Sequence, residues 1–506
     1  MPTTLYGHCE LGVDYSTPPH ELLGAALADS KNVVPNDEGL IVGRGGQVKF
    51  NNTTLSDRVT SFFELRNGAT RKQLASYGTK IGEYSTGTGE FVDKITGLTD
   101  DKMTQWVNFG GKAISVNEGA DPPQYWDGSS GGNLAGSPPH GQTIAEWSNR
   151  LWFGTGAVLG GSKLNDPTDY TGAGDPTGAI SQTVGDSGDN ITALFGFFNW
   201  LLIGKKNTIY RVSGNPATDA ETLKIEPLYS RSQETDSVGF TSPWAITQVG
   251  NDVLFLDGFD IKSLTGIQEF GDVKHLSIIP HVRDYLKSIC DKDLLQYSQF
   301  FHYKKEQLIW VSMPTSSSTN FVFILSYKFK EKTSIYSFYP MGEIDANVFG
   351  GVENGVYDDV YFGDNTGFVK QLDTGNNDDG GAIERYFTKV FAGNYPENGA
   401  LGYETRRKNF KNSETFIKSS EATLTMEPSY LYNTFDSEQV RDASYTALNT
   451  QNVINWDGLG AQHSRVPLFG VSGKAIALKW LHETINENFI FYPSKVNFSW
   501  KKEIII

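Results

Sequence analysis

The sequence predicts an all-β protein, and composition and hairpin patterning are the two observations that predict it. The chain has 506 residues, with 54 glycines and 13% aromatic residues but only 20% charged residues. Turn formers and large rings are therefore abundant, while the charged pairs that favour helices are scarce. Short apolar runs joined by glycine-bearing turns also recur along the chain, which is the pattern of adjacent antiparallel strands. A chain of this length contains either several domains or one large repetitive β architecture.

The apolar runs recur with a period that indicates a β-propeller. Successive landmarks are 44, 45, 50, 53, 55 and 51 residues apart, and each interval holds about four strands of ~5 to 6 residues with their turns. Units of four strands repeated around an axis bury both faces of each sheet against neighbouring sheets. We expect about seven blades, within a range of six to eight, and the N-terminal arm could complete an eighth. The landmarks are Phe62, Trp106, Leu151, Leu201, Leu254, Ile309 and Val360.

Three regions follow from where the period begins and ends. Residues 1–55 precede it and form an N-terminal arm, in which residues 19–28 are a candidate short helix. Residues 56–380 form the propeller. After the polar linker at residues 375–381, residues 381–506 resume strand-like alternation and predict a C-terminal β unit. We expect this unit to be sandwich-like and to pack on the propeller or close it.

Charge and motif content disfavour several classes of function. Lys and Arg total 43 against 59 Asp and Glu, giving a formal net charge of −16, which disfavours a general nucleic-acid-binding surface. The sequence shows no export signal, no phosphate-binding loop and no zinc-ligand spacing. The two cysteines, Cys9 and Cys290, suit small buried apolar positions better than a disulfide framework. We therefore predict that the protein is not an enzyme and uses no metal or cofactor.

A few polar residues are candidates for chemistry or contact. Residues 186–190 resemble a calcium loop but lack the later glutamate of an EF-hand. A glycosidase needs two carboxylates near one substrate, and several hairpin aspartates are available, although turn chemistry explains them more simply. These aspartates are Asp257, Asp260, Asp358, Asp359 and Asp364. The dense basic cluster Arg406, Arg407 and Lys408 is a candidate contact for an acidic partner.

Several segments, taken in order, resemble the tail hub proteins of short-tailed bacteriophages, also called nozzle or stabilisation proteins. The arm segments Leu27–Val33 and Gly39–Gly46 are similar to the opening of that family. Leu65–Lys72 and Tyr125–Gly128 are similar to its first blades, and Gly355–Tyr361 to a later blade. The similarity covers most of the chain and is weakest over residues 381–506.

The resemblance implies a structural role in the virion tail. It implies a homo-hexameric ring below the portal and the head-to-tail adaptor, which continues the channel for DNA ejection and anchors tail fibres or spikes and a needle or plug. Duplex DNA would pass through the lumen without sequence-specific binding, and the chain would fold in the host cytoplasm. The alternative is a carbohydrate-active or carbohydrate-binding propeller, either a glycosidase or a lectin-like module.

Overall fold

The structure, a computed structural model, consists of β-strands joined mainly by short turns. The chain forms first an arm of short strands, then a ring of sheets, and then the C-terminal sheets. The described residues are 3–6, 8–172, 175, 177–214, 223–228, 238–264, 277–391, 408–419, 423–432, 440–441, 444–447, 453–455, 462–468, 472–473 and 475–500.

The N-terminal arm contains seven short strands. They are β1 (Thr3–Tyr6), β2 (Gly12–Val13), β3 (Ala26–Leu27), β4 (Asp29–Lys31), β5 (Val33–Pro35), β6 (Ile41–Gly43) and β7 (Gln47–Lys49). The prediction of a helix over residues 19–28 is wrong. Pro19–Glu21 form a single 3-10 turn, and the chain then continues into β3. β3 pairs in parallel with β2 and buries Leu27 completely, and this tertiary pairing outweighs the local helical spacing.

The first four blades are antiparallel sheets of four strands each. Blade 1 is β8 (Val59–Asn67), β9 (Thr70–Tyr77), β10 (Lys80–Ser85) and β11 (Glu90–Thr96). Blade 2 is β12 (Gln105–Phe109), β13 (Lys112–Val116), β14 (Gln124–Trp126) and β15 (Gly131–Asn133). Blade 3 is β16 (Thr143–Trp147), β17 (Arg150–Thr155), β18 (Val158–Gly161) and β19 (Ile180–Thr183). Blade 4 is β20 (Ile191–Phe197), β21 (Trp200–Lys205), β22 (Ile209–Ser213) and β23 (Lys224–Pro227).

The last three blades depart from a simple four-strand repeat. Blade 5 has three described strands, β24 (Ile246–Val249), β25 (Asp252–Asp257) and β26 (Asp260–Ser263). Helix α1 (Arg283–Ile289) and a 3-10 turn (Leu295–Tyr297) follow it. Blade 6 is β27 (Gln299–Tyr303), β28 (Leu308–Ser316), β29 (Thr319–Ser326) and β30 (Ser337–Met341), interrupted by a 3-10 turn (Lys304–Glu306) and helix α2 (Lys330–Thr333). Blade 7 begins with β31 (Ala346–Asn354), β32 (Tyr357–Asp364) and β33 (Val369–Leu372).

The ring closes between blade 7 and blade 1. β31 contacts β8, and β7 of the arm supplies the fourth strand of blade 7 by pairing antiparallel with β33. Seven sheets therefore surround the axis in the described residues, and the prediction of a β-propeller is confirmed. The arm completes the seventh blade and does not add an eighth. A closing strand from the opposite end of the chain satisfies the hydrogen-bonding edge that blade 7 would otherwise expose.

The described C-terminal strands belong to three sheets, and the two larger sheets pack face to face. Ring centroids of Phe387 and Trp480 in one sheet lie 4.6 and 5.1 Å from that of Phe491 in the other. These aromatic contacts form a buried core between the sheets, so this unit is a β-sandwich. Its strands are β34 (Arg385–Phe391), β35 (Lys408–Ser419), β37 (Glu427–Tyr432), β38 (Thr446–Ala447), β40 (Gln462–Pro467), β41 (Ser472–Gly473), β42 (Ile476–His482) and β43 (Phe489–Trp500). The third sheet consists of β36 (Thr423–Thr425) and β39 (Val453–Asn455).

The two cysteines lie in the core, as the sequence predicts. Cys9 and Cys290 are buried free thiols, and burial raises their pKa to about 11 and about 12, so they are packed as small apolar residues. No helix within the described part of the chain is long and apolar enough to cross a membrane.

Candidate functional site

The N-terminal arm is the feature that connects all parts of the molecule. β2 and β3 extend blade 6, and β7 completes blade 7. β4 pairs with β34 in one sheet of the sandwich, while β1 and β6 pair with β43 in the other, and β5 pairs with β6. Fewer than 50 residues thus contribute strands to two blades and to both sandwich sheets. The arm, the propeller and the sandwich meet around Arg44 and Arg385, and we call this region the arm junction.

Arg44 forms the first half of the arm junction. Its side chain is only 3% exposed and donates through Nε to Asn32 Oδ1 at 2.7 Å and through Nη1 to Asp378 Oδ1 at 2.9 Å. Asn32 also accepts a hydrogen bond from the backbone N–H of Gly342 in the propeller, at 2.8 Å. A buried charge is tolerated only when it is paired and hydrogen-bonded, and Arg44 meets both conditions.

Arg385 forms the second half and is completely buried. It donates to the carbonyl oxygens of Glu487 at 2.9 Å and of Arg44 at 3.1 Å, which joins the start of the sandwich to the arm. Burial, together with the neighbouring Arg44, lowers the pKa of Arg385 to about 10. The Arg385 side chain therefore holds the backbone of the arm and of the sandwich together through hydrogen bonds to their carbonyl groups.

His482 lies directly opposite Arg385 in the pairing of β34 with β42. Its imidazole is buried, and Nε2 lies 3.4 Å from Glu487 Oε2. Burial and the nearby Arg385 lower the pKa of His482 to about 4. The imidazole is therefore neutral near pH 7, and protonating it would place a second cation beside Arg385.

Two glycines explain how the arm approaches the propeller so closely. A Cβ atom added to Gly46 would lie 2.0 Å from the carbonyl oxygen of Asn377, and one added to Gly45 would lie 2.5 Å from Asp373 Oδ1. Only glycine fits at such approaches. The Arg44-Gly45-Gly46 triplet was the sequence signal for this junction, although turn composition alone gave no reason to assign it a role.

The charged side chains of the arm junction make structural contacts. Its two arginines donate hydrogen bonds to a carboxylate and to backbone carbonyls. Over the described residues, no group of three or more His, Cys, Asp or Glu side chains is arranged to hold a metal ion. What the arrangement does is hold two domains and an arm in one fixed geometry.

The hairpin aspartates of blade 5 occupy turn and pairing roles. Asp257 and Asp260 face each other across the β25–β26 turn, in which Gly258 has a φ of +61°. Asp257 forms an ion pair with Lys262 at 2.7 Å, and Asp260 accepts a hydrogen bond from Ser277 at 2.6 Å. Asp257 lies on the second strand of the blade and Asp260 on the third, so neither lies on the innermost strand.

The aspartates of blade 7 also have structural partners. Asp358 pairs with Arg66 at 2.9 Å across the ring closure, and Asp359 accepts from Asn354 at 2.8 Å. Asp364, at the other end of β32, accepts hydrogen bonds from the turn that follows it. Asp364 lies six positions along β32 from Asp358, about 20 Å away, which exceeds the spacing of a glycosidase pair by a wide margin.

The loop that resembles a calcium site holds a lysine. The buried Lys205 ammonium donates to the carbonyl oxygens of Asp186 and Asp189, each at 2.7 Å. This internal cation takes the position in which a bound ion would meet the same carbonyls. Sequence inspection could not find Lys205 because it lies on the next hairpin.

The basic cluster is divided by the structure. Arg406 and Arg407 lie outside the described residues. Lys408 is completely buried at the start of β35, where it pairs with β43, so its side chain is not available to a partner in this chain. Contact through residues 406 and 407 stays a prediction.

Comparisons with known proteins concern the fold alone. No family model matches the sequence, and neither does any curated protein. Among solved structures, virginiamycin B lyase from Staphylococcus aureus is 13% identical with a TM-score of 0.42, covering 65% of this chain and 98% of the lyase. The Swd1 β-propeller domain of Myceliophteria thermophila is 11% identical with a TM-score of 0.38, covering 64% and 99%. The extracellular domain of a hybrid two-component system from B. thetaiotaomicron is 10% identical with a TM-score of 0.43, covering 95% and 62%.

Proposed function

We propose that the protein is a structural subunit of a bacteriophage tail, a tail hub or nozzle that assembles as a homo-hexameric ring below portal and adaptor. The observation that supports this proposal best is the arm, which adds strands to two blades and to both sandwich sheets. A subunit built in this way is one continuous body. Such a body suits a part that must keep its shape while DNA passes and while other tail proteins are attached to it.

Strand pairing and buried ion pairs suit the arm to resist mechanical force. Strand pairing distributes a force over several backbone hydrogen bonds. The arm also makes buried side-chain hydrogen bonds at Arg44 and Arg385. Separating the sandwich from the propeller would break these bonds together and leave buried charges unpaired. The formal charge of −16 also suits a conduit for DNA, because a cationic wall would retain phosphates.

We also propose that the protein does not catalyse a reaction. Asp257, Asp260, Asp358 and Asp359 each have a structural partner within the described residues. Their single replacement by Asn should leave particle assembly and infectivity nearly unchanged, since Asn suits the same turns. Purified protein that cleaves a host surface polysaccharide, and loses this activity in one of these variants, would establish the glycosidase alternative instead.

Assembly is the decisive experiment. The purified chain is mixed with purified portal–adaptor complex, and the product is examined by native mass spectrometry and electron microscopy. We expect a closed ring of identical subunits that uses one repeated heterologous interface. A chain that remains monomeric alone and also fails to form a ring on the portal–adaptor complex would refute the tail hub proposal. The Asp358→Asn variant is a matched control, because it should assemble like the wild type.

A further inference from the structure

A cleft of about 330 Å³ lies where the arm covers one end of blades 6 and 7. Its volume falls within the range of small-molecule sites, which occur preferentially where domains meet. Apolar side chains from β5, β28 and β29 form part of the wall, namely Val34, Leu308, Trp310 and Ile324. Trp310 is 4% exposed, and its buried indole Nε1 has no hydrogen-bond partner. The cleft borders the arm junction through Arg44 and Gly45, and it contains none of the hairpin aspartates of blades 5 and 7.

The polar side of the cleft is rich in carboxylates. Lys328 Nζ lies 2.9 Å from Asp37 Oδ1 and 3.3 Å from Glu306 Oε2, so this ammonium already occupies the position between the two acids. Asp37 is 92% exposed and Glu306 38% exposed, which leaves both able to accept further hydrogen bonds from a ligand. Asp373 completes this side and accepts from the Tyr303 hydroxyl at 3.0 Å.

These walls select against charged ligands. An anion would meet three carboxylates, and the two cations of the lining, Lys328 and Arg44, are already paired with acids. A cation would have to displace Lys328 from the acids that it contacts. An uncharged ligand with several hydroxyl donors meets neither penalty, because each hydroxyl can donate to a carboxylate while its C–H face covers the apolar wall.

We propose that this cleft binds a neutral saccharide unit of one or two rings. Hydroxyl groups of the ligand donate to Asp37 and Glu306, and a pyranose C–H face lies against Leu308 and the Trp310 edge of the wall. The inference rests on the cleft and not on the tail hub proposal. A ring-forming protein and a monomer could both contain such a site.

The test measures binding of methyl glycosides of glucose, galactose, mannose and N-acetylglucosamine by saturation-transfer difference NMR. We expect at least one of them to bind the full-length wild type. Val42→Trp should abolish that binding, because Val42 is a half-buried lining residue and the larger ring fills the cleft. Glu306→Gln keeps the shape and removes the charged acceptor, so it should weaken binding about tenfold.

The matched control is Val48→Trp, the same substitution on the neighbouring arm strand β7, where Val48 is 42% exposed and outside the cleft. It should bind the glycoside as the wild type does. Because Glu306 lies on an exposed turn, Glu306→Gln keeps the test decisive even if Val42→Trp does not fold. Three results would overturn the proposal: no glycoside binds, Glu306→Gln binds like the wild type, or inorganic phosphate or methylammonium binds in the cleft in place of the glycosides.

Discussion

Removing the ring of Phe50 should loosen the closure of the propeller. Phe50 directly follows β7, and its ring contacts blade 7 through Tyr361, with centroids 5.1 Å apart. On the other side it is stacked on Tyr84 of blade 1 at 3.9 Å and lies edge-on to Phe62 at 6.2 Å. This one half-buried residue therefore bridges the first and last blades.

The expected cost follows from burial and ring contacts. Half-burial of a phenyl ring contributes about 1 to 1.5 kcal/mol, and its close aromatic contacts add about 1 to 1.5 kcal/mol more. Phe50→Ala should thus lower the free energy of opening this closure by about 2 to 3 kcal/mol. That change corresponds to a roughly 30- to 160-fold larger population of the open form.

Hydrogen exchange followed by mass spectrometry measures this local opening. Amides of β7 and β33, which pair at Lys49 with Lys370 and at Gln47 with Leu372, should exchange faster by that factor in Phe50→Ala. Val48→Ala on the same strand should change the exchange little, because Val48 is 42% exposed. If both variants exchange within threefold of the wild type, Phe50 does not hold the ring closed.

Three other predictions concern buried polar groups. Glu64→Gln should lower the free energy of unfolding in urea by about 1 to 2 kcal/mol, since buried Glu64 of blade 1 accepts from the backbone N–H of Glu353 in blade 7 at 3.1 Å and from Arg66 at 2.9 Å; equal midpoints would contradict this. Lys205→Met should lower the melting temperature, and calcium should not restore it; rescue by calcium would reveal an ion site. The pKa of His482 is about 4 in the folded chain and near 6.5 in the unfolded chain. The free energy of unfolding should therefore fall by about 3 kcal/mol through this histidine as the pH falls from 7 to 4. His482→Asn should flatten this slope; an unchanged slope would assign it to other groups, Glu487 and Arg385 being the charged neighbours.

The sign of the pH prediction follows from which state holds more protons. Between pH 4 and 6.5 the unfolded chain protonates this histidine and the folded chain does not, so acid favours unfolding. Asp29 acts in the opposite direction, because burial raises its pKa to about 6 and its folded form gains stability as pH falls from about 6 towards 3.8. The difference between wild type and His482→Asn isolates the histidine from this opposing group.

The repeat could be predicted because it depends on short-range patterning. Apolar runs, glycine turns and their spacing are local properties, and every landmark lies on a blade strand in the structure. The landmarks are nevertheless not equivalent. Phe62 and Trp106 lie on the first strand of their blades, whereas those from Leu151 to Val360 lie on the second. Spacing alone could not reveal this shift, since adjacent antiparallel strands have the same pattern.

The arm and its junction depend on contacts between residues that are distant in sequence. Leu27 is buried by pairing that extends blade 6, and Arg44 meets Asp378 more than 300 residues further along the chain. The local sequence of residues 19–28 favours a helix, and nothing nearby contradicts it. The strand that replaces the helix is stabilised by an edge that exists only after blade 6 has folded.

The sequence by itself determined the all-β class, the number of blades within one, and a separate C-terminal β unit. These properties follow from turn residues and apolar alternation, which act over a few residues. The tertiary structure alone decided how the ring closes, which cations are buried, and where the carboxylates point. Burial and pairing set these outcomes, because a charge or a strand edge gains its partner from a remote segment, and the identity of that segment is settled only when the whole chain packs.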